Sequence, residues 1–192
     1  VQYQPSPLVK ATLRPYQIEG VQWLLEHYNN GLGACLADDM GLGKTLQTLS
    51  TLVAVQEKLE VEKAENIQLD LFGNEIPVAK EYLKALIVLP SSLVFNWYNE
   101  ARKFTPHFRR IQYVGQDRKL LSKKLAKYDL IFTSYAVVAR DFSILEKYQF
   151  RYLILDESQY IKNKNSKIFK AINQLQTTHK ISLSGTPIEN SL

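Results

Sequence analysis

Short apolar runs recur along the chain between longer stretches of helical periodicity, and this alternation constrains the fold more than any other feature. The runs are Ala34–Ala37 (ACLA), Ala85–Leu89 (ALIVL), Ile111–Val114, Asp129–Thr133 (DLIFT), Tyr152–Asp156 (YLILD) and Lys180–Ser184 (KISLS). A run that is apolar at nearly every position is buried on both faces of its sheet, the signature of parallel strands covered by helices. Strands alternating with helices therefore predict an α/β chain: a doubly wound, mainly parallel sheet with helices on both faces. Ligands of such sheets bind beyond the carboxyl ends of the strands. The chemically informative residues fall there: Asp38–Thr45, Pro90–Ser92, Thr133–Tyr135, Asp156–Gln159 and Ser184–Pro187.

The connecting segments follow suit. Residues 12–29 form a helix with Pro15 in its first turn and an apolar stripe of Ile18, Val21, Leu24, Leu25 and Tyr28. A second helix starts near Lys44 and runs toward Leu59. Another ends at Phe104, with Ser91 or Ser92 as its cap. Arg118–Lys127 reads as a basic helix, a further helix follows Tyr135, and Ser166–Leu175 is the last.

With 192 residues the chain is long enough for one domain with a hydrophobic core, at an ordinary 45% apolar and 22% charged. No apolar run approaches the about 18 residues of a membrane span, so no membrane partner is expected. The single cysteine, Cys35, lies among Ala34, Leu36 and Ala37 and reads as a core residue in a reducing, cytoplasmic setting. Charge is unevenly spread. Between Glu57 and Glu75 six acids stand against two lysines, a local −4 within an overall +5, which leaves +9 on the rest. A basic body suits a polyanion, although a solvated lysine-rich surface reads the same way. The cluster Lys162, Lys164, Lys167 and Lys170 is open to both readings.

Met40-Gly41-Leu42-Gly43-Lys44-Thr45 has the form of a phosphate loop, with a strand leading in and a helix leading out. Its glycines let backbone N–H groups face phosphates, and the helix N-terminus adds positive potential. Lys44 would reach the β- and γ-phosphates, and the Thr45 hydroxyl would hold Mg²⁺. The general pattern has Gly at the position of Asp38. About 110 residues on, Asp156-Glu157 closes a buried strand, where a metal-binding carboxylate and a catalytic base belong. Asp156 would hold the Mg²⁺ hydration shell, and Glu157 would deprotonate the attacking water.

Leu13-Arg14-Pro15-Tyr16-Gln17, Asp38-Asp39-Met40-Gly41-Leu42-Gly43-Lys44-Thr45, Asp156-Glu157-Ser158-Gln159-Tyr160-Ile161-Lys162-Asn163 and Ser184-Gly185-Thr186-Pro187-Ile188-Glu189-Asn190 occur in this order. Together they resemble motifs Q, I, II and III of the Swi/Snf-type ATPases of helicase superfamily two, over nearly the whole chain except residues 56–80. That family commonly carries an acid where other phosphate loops have their first glycine. The resemblance implies a RecA-like P-loop NTPase lobe that binds ATP and Mg²⁺ and, with a second RecA-like lobe, translocates on double-stranded DNA in a nucleoid-associated setting. The second lobe would supply motifs IV to VI and their arginine fingers.

The resemblance also implies roles. Arg14 and Gln17 would line the adenine side, with the Gln17 amide reading the base; a solvent-facing helix glutamine is the plainer reading. Asp39, Met40, Gly41, Leu42 and Gly43 would cradle the phosphates with Lys44 and Thr45. Pro90-Ser91-Ser92 with Asn96 and Trp97 resembles motif Ia, and Thr133-Ser134-Tyr135 resembles motif Ib. Ser91, Ser92, Thr133 and Ser134 would then touch the nucleic-acid backbone, with helix capping the plain alternative for the first pair. Trp97 reads as core. Gln159, Ser184, Gly185 and Thr186 would couple the γ-phosphate to DNA contacts, and Ser158-Gln159, where relatives often have Ala-His or Ala-Gln, leaves the role of Gln159 open. The first alternative is a DEAD-box RNA helicase lobe, against which stand Ser158-Gln159 in place of Ala-Asp and the form of the phosphate loop. The second alternative is a non-catalytic scaffold lobe, against which intact Lys44, Thr45, Asp156 and Glu157 argue.

Residues 56–80 read as an insertion. Within it Gln68-Leu69-Asp70-Leu71-Phe72 resembles the Gln-Leu-(Ser or Asp)-Leu-Phe pentapeptide by which bacterial proteins dock on the replicative sliding clamp. The competing reading is a hairpin turning at Gly73-Asn74, with Ile67, Leu69 and Leu71 packed on the lobe. Burial of Phe72 separates the two.

Overall fold

Every strand pairing found is parallel, and the register aligns the carboxyl ends of the strands along one edge. The computed structural model describes residues 2–37, 43–65, 69–76, 82–156 and 166–184. Among them six strands form one sheet: β1 (Ala34–Ala37), β2 (Ala85–Leu89), β3 (Arg110–Gln112), β4 (Leu130–Ser134), β5 (Gln149–Asp156) and β6 (Gln176–Ser184), ordered β1-β6-β5-β2-β4-β3. Seven α-helices accompany them: α1 (Pro15–Asn29), α2 (Lys44–Glu65), α3 (Val94–Phe104), α4 (Arg118–Ser122), α5 (Tyr135–Arg140), α6 (Phe142–Leu145) and α7 (Lys167–Gln174).

Alternation along the strands builds two cores. Ala85, Ile87, Leu89, Leu130, Phe132, Tyr152, Ile154, Ile181 and Leu183 face one side, where Val21 and Leu24 of α1, Leu49, Leu52 and Val53 of α2, and Trp97 and Ala101 of α3 cover them. Leu86, Val88, Ile131, Leu153 and Leu155 face the other, against Val137 and Val138 of α5 and Ala171 and Ile172 of α7. Each fully buried Leu, Ile or Phe contributes roughly 1.5–3 kcal/mol by leaving water. The expected doubly wound α/β sheet with helices on both faces is the fold observed.

Several expected boundaries shift. Helix α2 runs six residues past Leu59, to Glu65, because nothing between Glu60 and Glu65 breaks a helix. The basic helix expected over Arg118–Lys127 is instead α4 followed by a single 3₁₀ turn at Leu125–Lys127. Leu125 is fully buried, and the chain turns at Lys124 to seat it. Strand β5 begins three residues earlier than expected and β6 four. Their added residues carry no continuous apolar run, but pairing Gln149 with Gln176 and Phe150 with Thr177 satisfies their backbone groups.

The expected hairpin is present in its turn and absent in its packing. Leu69 bridges Glu75 in antiparallel fashion, and Gly73 takes a left-handed φ of +81°. The Asp70 carboxylate accepts from the backbone N–H of Phe72 and of Asn74, both at 2.8 Å. Leu69 is nevertheless 59% exposed, Leu71 100% and Phe72 88%, so neither leucine packs on the lobe. Ile67 and Gln68 lie outside the described residues.

Candidate nucleotide site

The strand register fixes where the site must be. Ala37 pairs with Ser184, and Leu183 pairs with Asp156, so the ends of β1, β6 and β5 lie side by side. Two strand spacings, about 10 Å, therefore separate the exit of β1 from Asp156. The expected phosphate loop and the expected metal-binding carboxylate thus stand on one edge of the sheet, with β6 between them.

Asp38, Asp39, Met40, Gly41 and Leu42 lie outside the described residues, as do Glu157, Gln159, Gly185, Thr186 and the side chains of Cys35 and Ser184. The rest of the expected constellation is in view. Gly43 closes the loop with φ +96°, a conformation that favours glycine, and its carbonyl accepts from Gln47 N–H at 2.9 Å. Lys44 and Thr45 follow as the first residues of α2, which puts them at the positive end of a 22-residue helix. Lys44 is 9% exposed and Thr45 half-buried.

Helix α1 supplies the adjoining wall. Gln17 is buried, not solvent-facing, which removes the plainer reading of this residue. Its Oε1 accepts from the Arg14 backbone N–H at 2.8 Å, which holds the amide at the start of the helix. Its Nε2 lies against Gly43, and the Tyr16 hydroxyl stands 3.2 Å from where a β-carbon at Gly43 would be. Arg14 is exposed beside them. The amide expected to read a base and the last glycine of the phosphate loop are thus immediate neighbours.

Asp156 is half-buried at the end of β5. Trp97 Nε1 donates to its Oδ2 at 3.1 Å, and the Tyr135 hydroxyl donates to its main-chain carbonyl at 2.6 Å. Trp97 is core, as expected, but with its N–H spent on the Asp156 carboxylate. Hydropathy marks a buried tryptophan and says nothing of its partner; the pairing of Trp97, Tyr135 and Asp156 was not foreseen. A carboxylate and a threonine hydroxyl are the hard oxygen donors that suit Mg²⁺, so the residues present fit that ion.

The four hydroxyls expected on nucleic acid divide into two kinds. Ser91 and Ser92 are exposed and form a 3₁₀ turn, Ser91–Leu93, ahead of α3, with no side-chain cap bond there. The capping role expected for them is therefore not observed. Thr133 is fully buried, and its Oγ1 donates to the Tyr113 carbonyl at 2.7 Å. Ser134 is 4% exposed and accepts from Val137 N–H at 3.3 Å as the cap of α5. The hydroxyls of both are engaged inside the fold, because β4 is covered on both faces.

Residues 16–192 match the family model described as the SNF2-related domain. The chain belongs to that family. Curated relatives of SNF2 type include TATA-binding protein-associated factor MOT1 of Saccharomyces cerevisiae, 37% identical over 96% of this chain and 10% of its own length. Helicase SWR1 of Debaryomyces hansenii is 35% identical over 97% of this chain and 11% of its own length. Among solved structures, the Sulfolobus solfataricus SWI2/SNF2 ATPase core in complex with dsDNA is 39% identical, with a TM-score of 0.81 over all of this chain and 35% of that one. The chain thus spans about a tenth of those curated relatives and about a third of the solved core. The match at this identity establishes the RecA-like fold of the SNF2 family and sets the DEAD-box alternative aside.

Proposed function

We propose that this SNF2-family chain is the ATP- and Mg²⁺-binding lobe of a DNA-dependent ATPase that translocates along double-stranded DNA. The observation that carries the reading is the edge on which Lys44, Thr45 and Gly43, with Gln17 against them, stand two strands from Asp156. The family match and the likeness to a SWI2/SNF2 core in complex with dsDNA support it. Lys44 neutralises phosphate charge, backbone N–H groups of Met40–Gly43 cradle the phosphates, and Thr45 and Asp156 hold the ion's ligand shell. Magnesium, when bound, offsets the charge shared by the β- and γ-phosphates. Glu157 takes the proton of the attacking water, and Gln159, Ser184, Gly185 and Thr186 relay the state of the γ-phosphate. Transition-state charge is met by arginines of a second RecA-like lobe, whose contribution in related phosphoryl transfer is about 10³–10⁵ in rate. Ser91 and Ser92 present exposed hydroxyls to the DNA backbone.

Two experiments on the full-length protein test this. Glu157→Gln should bind ATP with parental affinity and lose turnover; parental hydrolysis would refute the assigned base. Duplex DNA should stimulate hydrolysis and RNA of equal length should not; equal stimulation would refute the DNA reading.

A second partner is favoured by one observation, the exposure of Leu71 and Phe72. Adjacent apolar anchors on a preformed turn are what a pocketed partner takes up at low entropic cost. We read Gln68–Phe72 as a docking peptide for the replicative sliding clamp, carried on an insert the motor does not need.

A further inference from the structure

Asp156 is held from both faces of the sheet. Trp97 belongs to the core beneath α1, α2 and α3, and its indole N–H reaches the carboxylate. Tyr135 belongs to the opposite core, beneath α5 and α7, and its hydroxyl reaches the carbonyl of the same residue. Both rings are buried, at 4% and 6% exposure, so neither bond is lost to competing water. The two rings also come from the segments that follow β2 and β4 at the ligand edge of the sheet. Trp97 lies on the helix that follows the exposed Ser91-Ser92 turn. Tyr135 is the first residue of α5, directly after Ser134.

The chemistry suits a positioning device. An indole N–H is a donor only. It engages one carboxylate oxygen, Oδ2, fixes the rotation of the group and adds no positive charge to compete with a cation. The phenol fixes the main chain from the other side, which sets how far Asp156 projects from the end of β5. Close packing in both cores lets a displacement of α3 or α5 be passed on to Asp156.

We infer that Trp97 and Tyr135 are positioning residues for the Asp156 carboxylate, and that Trp97 couples it to the exposed Ser91-Ser92 turn, the segment read above as facing DNA. The coupling half of this inference rests on the DNA reading above; the orienting half does not. The test uses the full-length protein, and its readout is Mn²⁺ binding to the complex with a non-hydrolysable ATP analogue, followed by electron paramagnetic resonance with and without duplex DNA. Trp97→Phe keeps the ring and removes the N–H; Tyr135→Phe keeps the ring and removes the hydroxyl.

In the parental protein, DNA should tighten Mn²⁺ binding. Trp97→Phe should weaken Mn²⁺ binding about tenfold, the scale of one hydrogen bond to a charged group, and should abolish the DNA effect. Its affinity for the nucleotide in the presence of chelator should not change, which a general loss of folding would not allow. Tyr135→Phe should reduce the DNA effect with a smaller loss of Mn²⁺ affinity, and it decides the matter if Trp97→Phe does not fold. Parental Mn²⁺ affinity in both variants overturns the orienting role. Weakened Mn²⁺ binding with an undiminished DNA effect overturns the coupling. A parental protein that does not bind DNA refutes the proposed function instead, while the Mn²⁺ measurements without DNA still decide the orienting role.

Discussion

The Nε2 atom of Gln17 occupies the space that a β-carbon at position 43 would require. Gly43 is therefore confined twice, by its φ of +96° and by the neighbouring amide. Gly43→Ala should cost about 1–3 kcal/mol of stability through backbone strain and lower nucleotide affinity at least about tenfold. Gln17→Ala forfeits the bond to Arg14 N–H, worth about 1 kcal/mol, and opens the space. The double variant should be less damaged than the sum of the two, because contacting residues couple. Urea melts and fluorescent-nucleotide titrations check this, and strict additivity would show that the two do not interfere.

Ser91 and Ser92 are exposed, whereas Thr133 donates inside the fold. Replacing both serines with alanine should lower duplex affinity several-fold, most visibly at moderate salt, and leave stability within about 0.5 kcal/mol. Thr133→Val should do the reverse. It strands the Tyr113 carbonyl, costs about 1–3 kcal/mol, and leaves DNA affinity of the folded protein intact. Filter binding and thermal melts on the same samples separate the two behaviours.

Arg118 and Asp141 form a two-point ion pair, with Nε at 2.7 Å and Nη2 at 3.2 Å from the two carboxylate oxygens, and Tyr113 donates to the same carboxylate at 2.8 Å. The Arg118 guanidinium, followed by the Tyr113 hydroxyl, holds the Asp141 carboxyl below its ordinary value against the opposing effect of burial. A carboxyl depressed in the folded state stabilises above its unfolded value, near pH 4, and loses that contribution as pH falls through the folded value. Arg118→Ala should therefore lower stability at neutral pH by about 1–3 kcal/mol, with the gap to the parental protein closing below about pH 4. Denaturant midpoints from pH 2 to pH 7 check it, and a gap that stays constant with pH would exclude the ion pair as its source.

His179 lies against Tyr28, ring centroids 4.2 Å apart, and near Tyr152 at 5.5 Å. Burial, with Arg151 adding to it, pushes its imidazole below its ordinary value. A histidine held neutral in the fold favours folding above its unfolded value, about 6.5, and that contribution is lost progressively as pH falls below it. His179→Phe should preserve the ring contacts and flatten stability between about pH 5 and 7. An unchanged pH slope in that range would assign the acid sensitivity elsewhere.

Leu71 and Phe72 touch little of the lobe. Leu71→Ala with Phe72→Ala should leave the melting temperature and ATP affinity unchanged while removing binding of the sliding clamp to the full-length protein. A peptide spanning Asn66–Asn74 should compete for the clamp. Loss of stability in the double variant would mean that the turn packs on the motor, and parental clamp binding would refute the docking reading.

Much of this was legible in the chain itself. Continuous apolar runs require burial on both faces, and that requirement yields the parallel sheet; periodicity yields the helices; the glycines before Lys44-Thr45 and the acids after YLIL point to the ends of β1 and β5, which the sheet sets two strands apart. These are local properties, written within a few residues of each other. The expectations that failed were of another kind. The strand extensions at β5 and β6 depend on a neighbouring strand to complete their hydrogen bonds, and the break after α4 depends on a pocket for Leu125.

The amino-acid sequence by itself determined the α/β alternation, the order of the motifs and the edge where chemistry gathers. Only the tertiary structure decided which hydroxyls stay available and which side chains meet. Thr133 and Ser91 look alike as small hydroxyl residues at strand ends, and burial alone separates them. Trp97 meets Asp156 across 59 residues because β2 lies beside β5, bringing the helix that follows β2 over the end of β5. Strand order arises from how two cores close around a twisted sheet, a balance of burial over the whole chain, and no short segment carries it.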